Sequence, residues 1–383
     1  TIRERMTILL APDSFKGTLS AVQAAWAMRA GVEEALPDAT ILVHPVSDGG
    51  EGLVEVVVAA LGGDVLQLEV SGPLPGQIVE ASFGLSGDGT AAIIEMAQAA
   101  GLPLVPPGLR DPKVTSTVGV GDLIRAALER GVSSILVGIG GSATNDGGAG
   151  MAEALGIRLL DGKGTTLPRG GAALEKLGRI DFSGRDRRLE DVSVTVACDA
   201  QNPLLGPSGA SRVYGPQKGA TPADVELLER SLSRLAEVVH STMGLDLGTI
   251  PGGGAAGGLG AGLIAFCNAR LRKGIDVVLD MTGFDALLQT ADLVITGEGK
   301  IDAQLRFGKA LSGVLDRAVR MQKPVAAVVG SIEGPKDRFL GSEGFKEIFS
   351  LVDETTSQEE AMASPARYLQ NRTREMLKHL GLV

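Results

Sequence analysis

A carboxylate, a hydroxyl and an ammonium group crowd into Ala11-Pro12-Asp13-Ser14-Phe15-Lys16-Gly17, directly after an apolar run. Lys16 could neutralise a phosphate or a substrate carboxylate, Asp13 could hold magnesium, and Ser14 adds a donor to a bound substrate. A plain turn capped by Asp13 has the same composition. In Ser47-Asp48-Gly49-Gly50-Glu51-Gly52 a strand hands over to a helix. The N–H groups of Gly49 and Gly50 suit an anion there, and Asp48 suits a metal or a hydroxyl proton. An N-cap followed by flexible glycines would look alike.

The richest segment is Gly140-Gly141-Ser142-Ala143-Thr144-Asn145-Asp146-Gly147-Gly148-Ala149-Gly150. Small residues let backbone approach a ligand, Ser142, Thr144 and Asn145 add side-chain donors, and Asp146 is a candidate magnesium ligand or base. No Gly-Lys-Ser/Thr ending follows, so this is not a Walker loop; tight packing also uses glycine-rich helix starts. In Cys198-Asp199-Ala200-Gln201-Asn202-Pro203-Leu204, Asp199 is placed like an active-site carboxylate at a strand exit. Lys218, in Gly215-Pro216-Gln217-Lys218-Gly219, could meet phosphate, though an exposed turn lysine is the commoner case. Thr296-Gly297-Glu298-Gly299-Lys300-Ile301-Asp302, with Gly308-Lys309 behind it, sets two carboxylates and two lysines on flexible backbone. Ser-His-Asp and Cys/His metal patterns are missing, and His44, one of three histidines, reads as a packed residue. Phosphoryl transfer is the chemistry that needs only positioning, charge neutralisation and magnesium.

The elements that carry these loops follow from hydrophobic pattern. Thr7–Ala11 and Ile41–Val46 read as buried strands. Between them Ser20 and Gln23 have capping-box spacing, and Val22, Ala25, Met28, Val32 and Ala35 recur at helical intervals. A helix over roughly 51–61 closes at Gly62-Gly63. The rhythm returns with strands at Asp292–Thr296, Val325–Val329 and Glu347–Val352, a helix from near Lys309, and an amphipathic helix over Ala366–Leu380. Together they predict a flavodoxin-like α/β domain, a five-stranded parallel sheet formed by residues 1–63 plus 291–383. Residues 64–290 would be a larger inserted α/β domain, with strands at Ser134–Ile139 and Val192–Ala197 and the active site in the cleft between the domains. In a flavodoxin-like order the switch point lies between the first and third strands, so Asp13, Lys16, Glu298, Lys300 and Asp302 should meet at one crevice.

Composition narrows the partners. Hydrophobic residues make up 44% of 383, so the chain can build a large core. A net charge of −10 disfavours nucleic acid and anionic lipid, and 3% aromatics leaves few stacking platforms. Cys198 and Cys267 suit reduced thiols. The start, Thr1 to Met6, is too polar and short to precede a signal-peptide core. A soluble, cytoplasmic protein acting on a small molecule is expected, with a homodimer open.

Read together, Ala-Pro-Asp-Ser-Phe-Lys-Gly (11–17), Asp-Gly-Gly-Glu-Gly (48–52), Thr-Ser-Thr-Val-Gly-Val-Gly (115–121) and Gly-Gly-Ser-Ala-Thr-Asn-Asp-Gly-Gly (140–148) resemble the type one bacterial glycerate kinase family. Cys-Asp-Ala-Gln-Asn-Pro-Leu (198–204), Gly-Pro-Gln-Lys-Gly (215–219) and Thr-Gly-Glu-Gly-Lys-Ile-Asp (296–302) extend the match, in order, over nearly the whole chain. The resemblance implies ATP-dependent phosphorylation of D-glycerate with magnesium, giving 2-phosphoglycerate, on an interrupted flavodoxin-like domain. The chain departs from the family pattern where Leu305 follows Gln304 and at Leu311, positions expected at the edge of the crevice.

On chemical grounds Lys16 and the Gly49-Gly50 N–H groups would hold the glycerate carboxylate. The Gly140–Gly148 loop would take the ATP phosphates, with Lys300 or Lys309 offsetting charge. Asp146, Glu298 and Asp302 would serve magnesium. Asp199 is the first choice as proton acceptor and Asp48 the second. Two alternatives stand beside this: a kinase for another small hydroxy acid, and a non-catalytic sensor that binds a small acid.

Overall fold

The structure is a computed structural model and describes residues 5–302 and 309–383. Gln304, Leu305 and Gly308 lie outside the described residues, as does the side chain of Asp302. Two main sheets are built from β1 (Thr7–Pro12), β2 (Thr40–Val43), β3 (Asp64–Ser71), β4 (Ile78–Leu85), β5 (Ala91–Glu95), β6 (Ser134–Gly138), β7 (Ser193–Ala197), β8 (Arg270–Arg272), β9 (Leu293–Gly297), β10 (Val325–Val329) and β11 (Glu347–Ser350). The chain divides into two compact units. One comprises Thr1–Asp48, Glu55–Ala60 and Ile275–Val383; the other comprises Gly49–Val54 and Leu61–Gly274.

The first unit holds a five-stranded, all-parallel sheet in the order β11-β10-β9-β1-β2. Alternation along each strand decides its two cores, because successive side chains point to opposite faces. Ile8 and Leu10 of β1, Leu293 and Ile295 of β9, and Ala326 and Val328 of β10 enter one core. Leu9 and Ala11, Val294, and Val325, Ala327 and Val329 enter the other. Both faces are buried, which is why these strands read as unbroken apolar runs.

On the first face lie the helices Ala21–Ala35 and Pro365–His379, contributing Ala24, Met28, Val32, Leu369 and Met376. The Ser20/Gln23 capping box forms at the start of Ala21–Ala35, as the spacing requires. Gly31 permits the helix contact: a Cβ there would sit 2.3 Å from the Gln370 carbonyl oxygen. The helices Gly274–Met281, Phe284–Thr290 and Lys309–Arg320 supply Ile275, Leu279, Phe284, Leu288, Val314 and Ala318 to the opposite face. Leu311 is fully buried in that second core. Its departure from the family pattern is therefore a packing choice on a helix face, not a change at a crevice edge.

The second unit's sheet runs β8-β7-β6-β5-β4-β3. β5, β6, β7 and β8 are parallel, while β3 and β4 extend the sheet as antiparallel strands. The antiparallel pair and the three-residue β8 were not anticipated from sequence. β3 alternates exposed and half-buried residues, giving none of the continuous apolar signal of a doubly covered strand. Among the described residues no helix is long and apolar enough to cross a membrane.

Candidate active site

In the first unit the strand order reverses between β1 and β9, and the loops leaving their carboxyl ends diverge there. The backbone N–H of Asp13 donates to the Gly297 carbonyl at 2.8 Å, and the Thr296 hydroxyl donates to the Ala11 carbonyl at 2.7 Å, fixing the two exits side by side. A cavity of about 420 Å³ opens at this edge. Asp13, Ser14, Lys16, Asp48, Glu298, Lys300 and Lys309 line it, so the structure brings together Asp13, Lys16, Glu298 and Lys300 of the expected crevice, while the side chain of Asp302 lies outside the described residues. Continuing along the same edge, Gly330 and Ser331 follow β10, and Leu351 and Val352 follow β11. The helix Gln358–Ala363 and Pro365 complete the wall.

The charges in this cavity are unequal in environment. Lys16, Lys300 and Lys309 are exposed, whereas Asp13 and Glu298 are each only 8% accessible. Burial and the neighbouring Asp48 charge push the Asp13 carboxyl up to about 7, against the opposing pull of the Ser14 N–H and Lys16. A carboxyl that titrates near neutrality can take or hold a proton at working pH. Lys300 pairs with Glu333 at 2.6 Å on the surface. His44 is buried, held at about 4 by desolvation, with its Nε2 2.8 Å from the Thr282 hydroxyl. It is a packed neutral imidazole.

The second unit positions a separate group of polar residues at the carboxyl ends of its parallel strands. Glu95, the last residue of β5, is buried and accepts the Val54 N–H at 2.9 Å. Gly49 stands at φ +91°, and a Cβ there would lie 2.7 Å from the Ala197 side chain at the end of β7. That contact leaves glycine as the residue that fits. Asp199 accepts the Gly274 N–H at 3.1 Å. Gly50, Gly140 and Gly141 complete this edge: a Cβ on Gly140 would come 3.7 Å from the Gly50 Cα.

The loop after β6 is less open than its composition suggests. Gly140 and Gly141 are exposed, but Thr144, Asn145 and Asp146 have no solvent exposure and Ser142 is buried. Asp146 accepts hydrogen bonds from the Thr117 N–H (2.9 Å) and hydroxyl (3.0 Å), the Gly148 N–H (3.1 Å) and the Gly150 N–H (3.2 Å). Burial pushes this carboxyl up, with those donors opposing it. Both oxygens are thus engaged in shaping the loop, and a magnesium ligand needs lone pairs turned to a ligand space. Asn145 donates to the Ser211 hydroxyl at 3.0 Å. Lys218 was the residue undervalued by sequence. It is 2% exposed, not an exposed turn lysine, and its Nζ donates to the Ser142 hydroxyl and the Thr144 carbonyl, both at 2.7 Å. Burial pushes its ammonium down to about 7, with Asp146 opposing.

Glu95 was also missed. The available signal was an acid ending an apolar strand run, near a strand exit as Asp199 and Asp13 are. Cys198 and Cys267 are buried free thiols, and burial pushes Cys267 up to about 12 despite Arg185, so it is inert.

The first unit is a doubly wound α/β sheet whose switch-point cavity gathers lysines with shielded carboxylates. Comparison with known proteins makes the assignment specific. Residues 8–381 match the model of the glycerate kinase family. A glycerate kinase of Halalkalibacterium halodurans is 48% identical over 97% of each chain. A glycerate 2-kinase of Escherichia coli is 47% identical over 93% of each. A crystal structure assigned as glycerate kinase 2, from Salmonella typhimurium LT2, superposes with a TM-score of 0.91 at 47% identity over 99% of both chains. The chain belongs to the glycerate kinase family and is an enzyme of that class.

Proposed function

We propose that this enzyme transfers the terminal phosphoryl group of ATP to the 2-hydroxyl of D-glycerate, with magnesium. The observation that carries the proposal is the first unit's cavity, where Lys16, Lys300 and Lys309 face the same space as Asp13, Asp48 and Glu298. Its volume, about 420 Å³, is large for a three-carbon acid and suits a nucleotide-sized ligand. The name of the Escherichia coli relative supports the 2-position.

Lys309 and Lys300 offset the negative charge of the phosphates, and Lys16 meets anionic oxygen at the β1 exit. Asp13 accepts the hydroxyl proton, for which a carboxyl held near 7 is suited. It takes precedence over Asp48 and Asp199, although Asp199 was preferred on sequence alone. A loose phosphoryl transfer asks little of this base, so placement matters more than basicity.

Among the described residues no group of three or more histidine, cysteine, aspartate or glutamate side chains is arranged to hold a metal. Magnesium binds through one or two carboxylates plus substrate phosphates and seldom through an all-protein cage. Glu298, shielded at the cavity wall, is the carboxylate to hold it; the side chain of Asp302, the other candidate near this wall in sequence, lies outside the described residues. When bound, the ion would neutralise phosphate charge.

Phosphorus NMR of the product formed from D-glycerate, magnesium and ATP tests the proposal. A 2-phosphoglycerate resonance is expected. A 3-phosphoglycerate resonance would keep the kinase and overturn the regiochemistry, and turnover of tartronate or lactate alone would replace the substrate.

A further inference from the structure

The cavity in the first unit changes character along its length. Its charged residues follow β1 and β9, together with Asp48 beyond β2. Its far wall, after β11, carries one uncharged polar side chain among apolar ones: Leu351, Val352, Gln358, Ala361, Met362 and Pro365. The sheet order β11-β10-β9-β1-β2 separates these two stretches. From β1 to β11 there are three inter-strand steps, or about 14 Å at the usual strand spacing. The middle is floored by Gly330 and Ser331, which put little side-chain bulk in the way.

This gradient matches one kind of ligand, a flat apolar group joined by a short polar linker to a polyanion. We infer that the wall after β11 receives the base of the nucleotide donor, with the phosphate chain running along the sheet edge toward β1. The inference rests on the ATP-dependent reading above and adds where the base lies and what recognises it.

The chemistry of that wall supports the assignment. Leu351 and Ala361 are buried and form a rigid apolar floor, while Met362 is 52% exposed. Exposed at the cavity wall, its flexible thioether adapts to a planar ring. Gln358 lies one turn earlier on the same helix, its amide 3.8 Å from the Met362 sulfur. That amide offers both a donor and an acceptor, as the edge of a purine requires, and it can present either by rotating. Glycerate, small and anionic, has nothing to gain from this wall.

The test compares ligands with and without a base. ADP and inorganic pyrophosphate are titrated calorimetrically into the wild-type chain, Met362→Asp and Gln358→Ala, alongside steady-state KM values for ATP and glycerate. Met362 is largely solvent-facing, so its substitution should leave the fold intact, which a thermal melt confirms; Gln358→Ala provides a second, milder probe. Met362→Asp should weaken ADP by about tenfold while pyrophosphate affinity and the glycerate KM stay within about twofold. Gln358→Ala should show the same selectivity at about threefold. Unchanged ADP affinity in both variants would overturn the inference. A rise in the glycerate KM with ATP unaffected would also overturn it, by placing the acid at this wall, and would leave the kinase reading standing. Failure of the wild-type chain to bind ADP or consume ATP would instead defeat the ATP-dependent reading itself, and this inference with it.

Discussion

The two units of this chain use the same residue types for opposite purposes. In the first, Asp13, Lys16 and Glu298 line an open cavity. In the second, Asp146 and Lys218 are enclosed, and their hydrogen-bonding capacity is spent on neighbouring loop atoms. One arrangement sets charge at the wall of a cavity. The other uses charge to hold glycine-rich backbone, which has little side-chain packing of its own, in a single shape. A carboxylate or lysine in a glycine-rich loop is therefore equally good evidence for a binding group and for an internal strut, and whether it lines a cavity or is enclosed by loop atoms separates them.

Breaking the strut should have the largest thermodynamic effect. Lys218→Met removes the donor for the Ser142 hydroxyl and the Thr144 carbonyl and leaves Asp146 without its compensating cation. Loss of one partner from a buried polar cluster costs roughly 3–5 kcal/mol, so urea unfolding should show a large drop in midpoint. A change below about 1 kcal/mol would mean that the loop holds its shape without Lys218. At the other extreme, Lys300→Met breaks an ion pair with Glu333 whose two side chains are more than half exposed. Such pairs contribute about 0–1 kcal/mol. Its stability should barely move, while the KM for ATP should rise several-fold, sharpening the contrast between a structural and a ligand-facing lysine.

How much of this was legible in the sequence follows the same division. The first unit's central strands carry strong local signals, since both faces of the sheet are covered there and β1, β9 and β10 are largely apolar runs; Val325–Val329 was located to the residue. The meeting of the β1 and β9 loops also followed from strand order, because a flavodoxin-like sheet has one switch point. The strands β3 and β4 escaped because their exposed residues dilute the pattern. Lys218 escaped for a different reason: nothing local to Gly215–Gly219 announces that Ser142 and Thr144, more than seventy positions earlier, will enclose it. Leu311 was placed at the crevice because its sequence neighbours are there, whereas its helical face points into the core. Sequence proximity to a motif says little about the direction of a side chain.

The central claim is that the first unit's cavity performs the chemistry and that Asp13 is tuned for it. Its carboxyl, ordinarily near 3.8, is raised to about 7 in the fold. A folded-state value above the unfolded one means that the native protein binds more protons between those limits, so this group's contribution to stability declines as pH rises from about 4 through 7. Asp13→Asn removes that penalty. The most direct measurement is therefore turnover and thermal stability of Asp13→Asn, without ligands for the melt, at pH 5 and pH 8. The account predicts that turnover falls by roughly 10²–10⁴-fold while the variant melts higher than wild type at pH 8, with the gain shrinking toward pH 5. Turnover within about threefold of wild type would contradict it, and so would a variant that is less stable than wild type at pH 8.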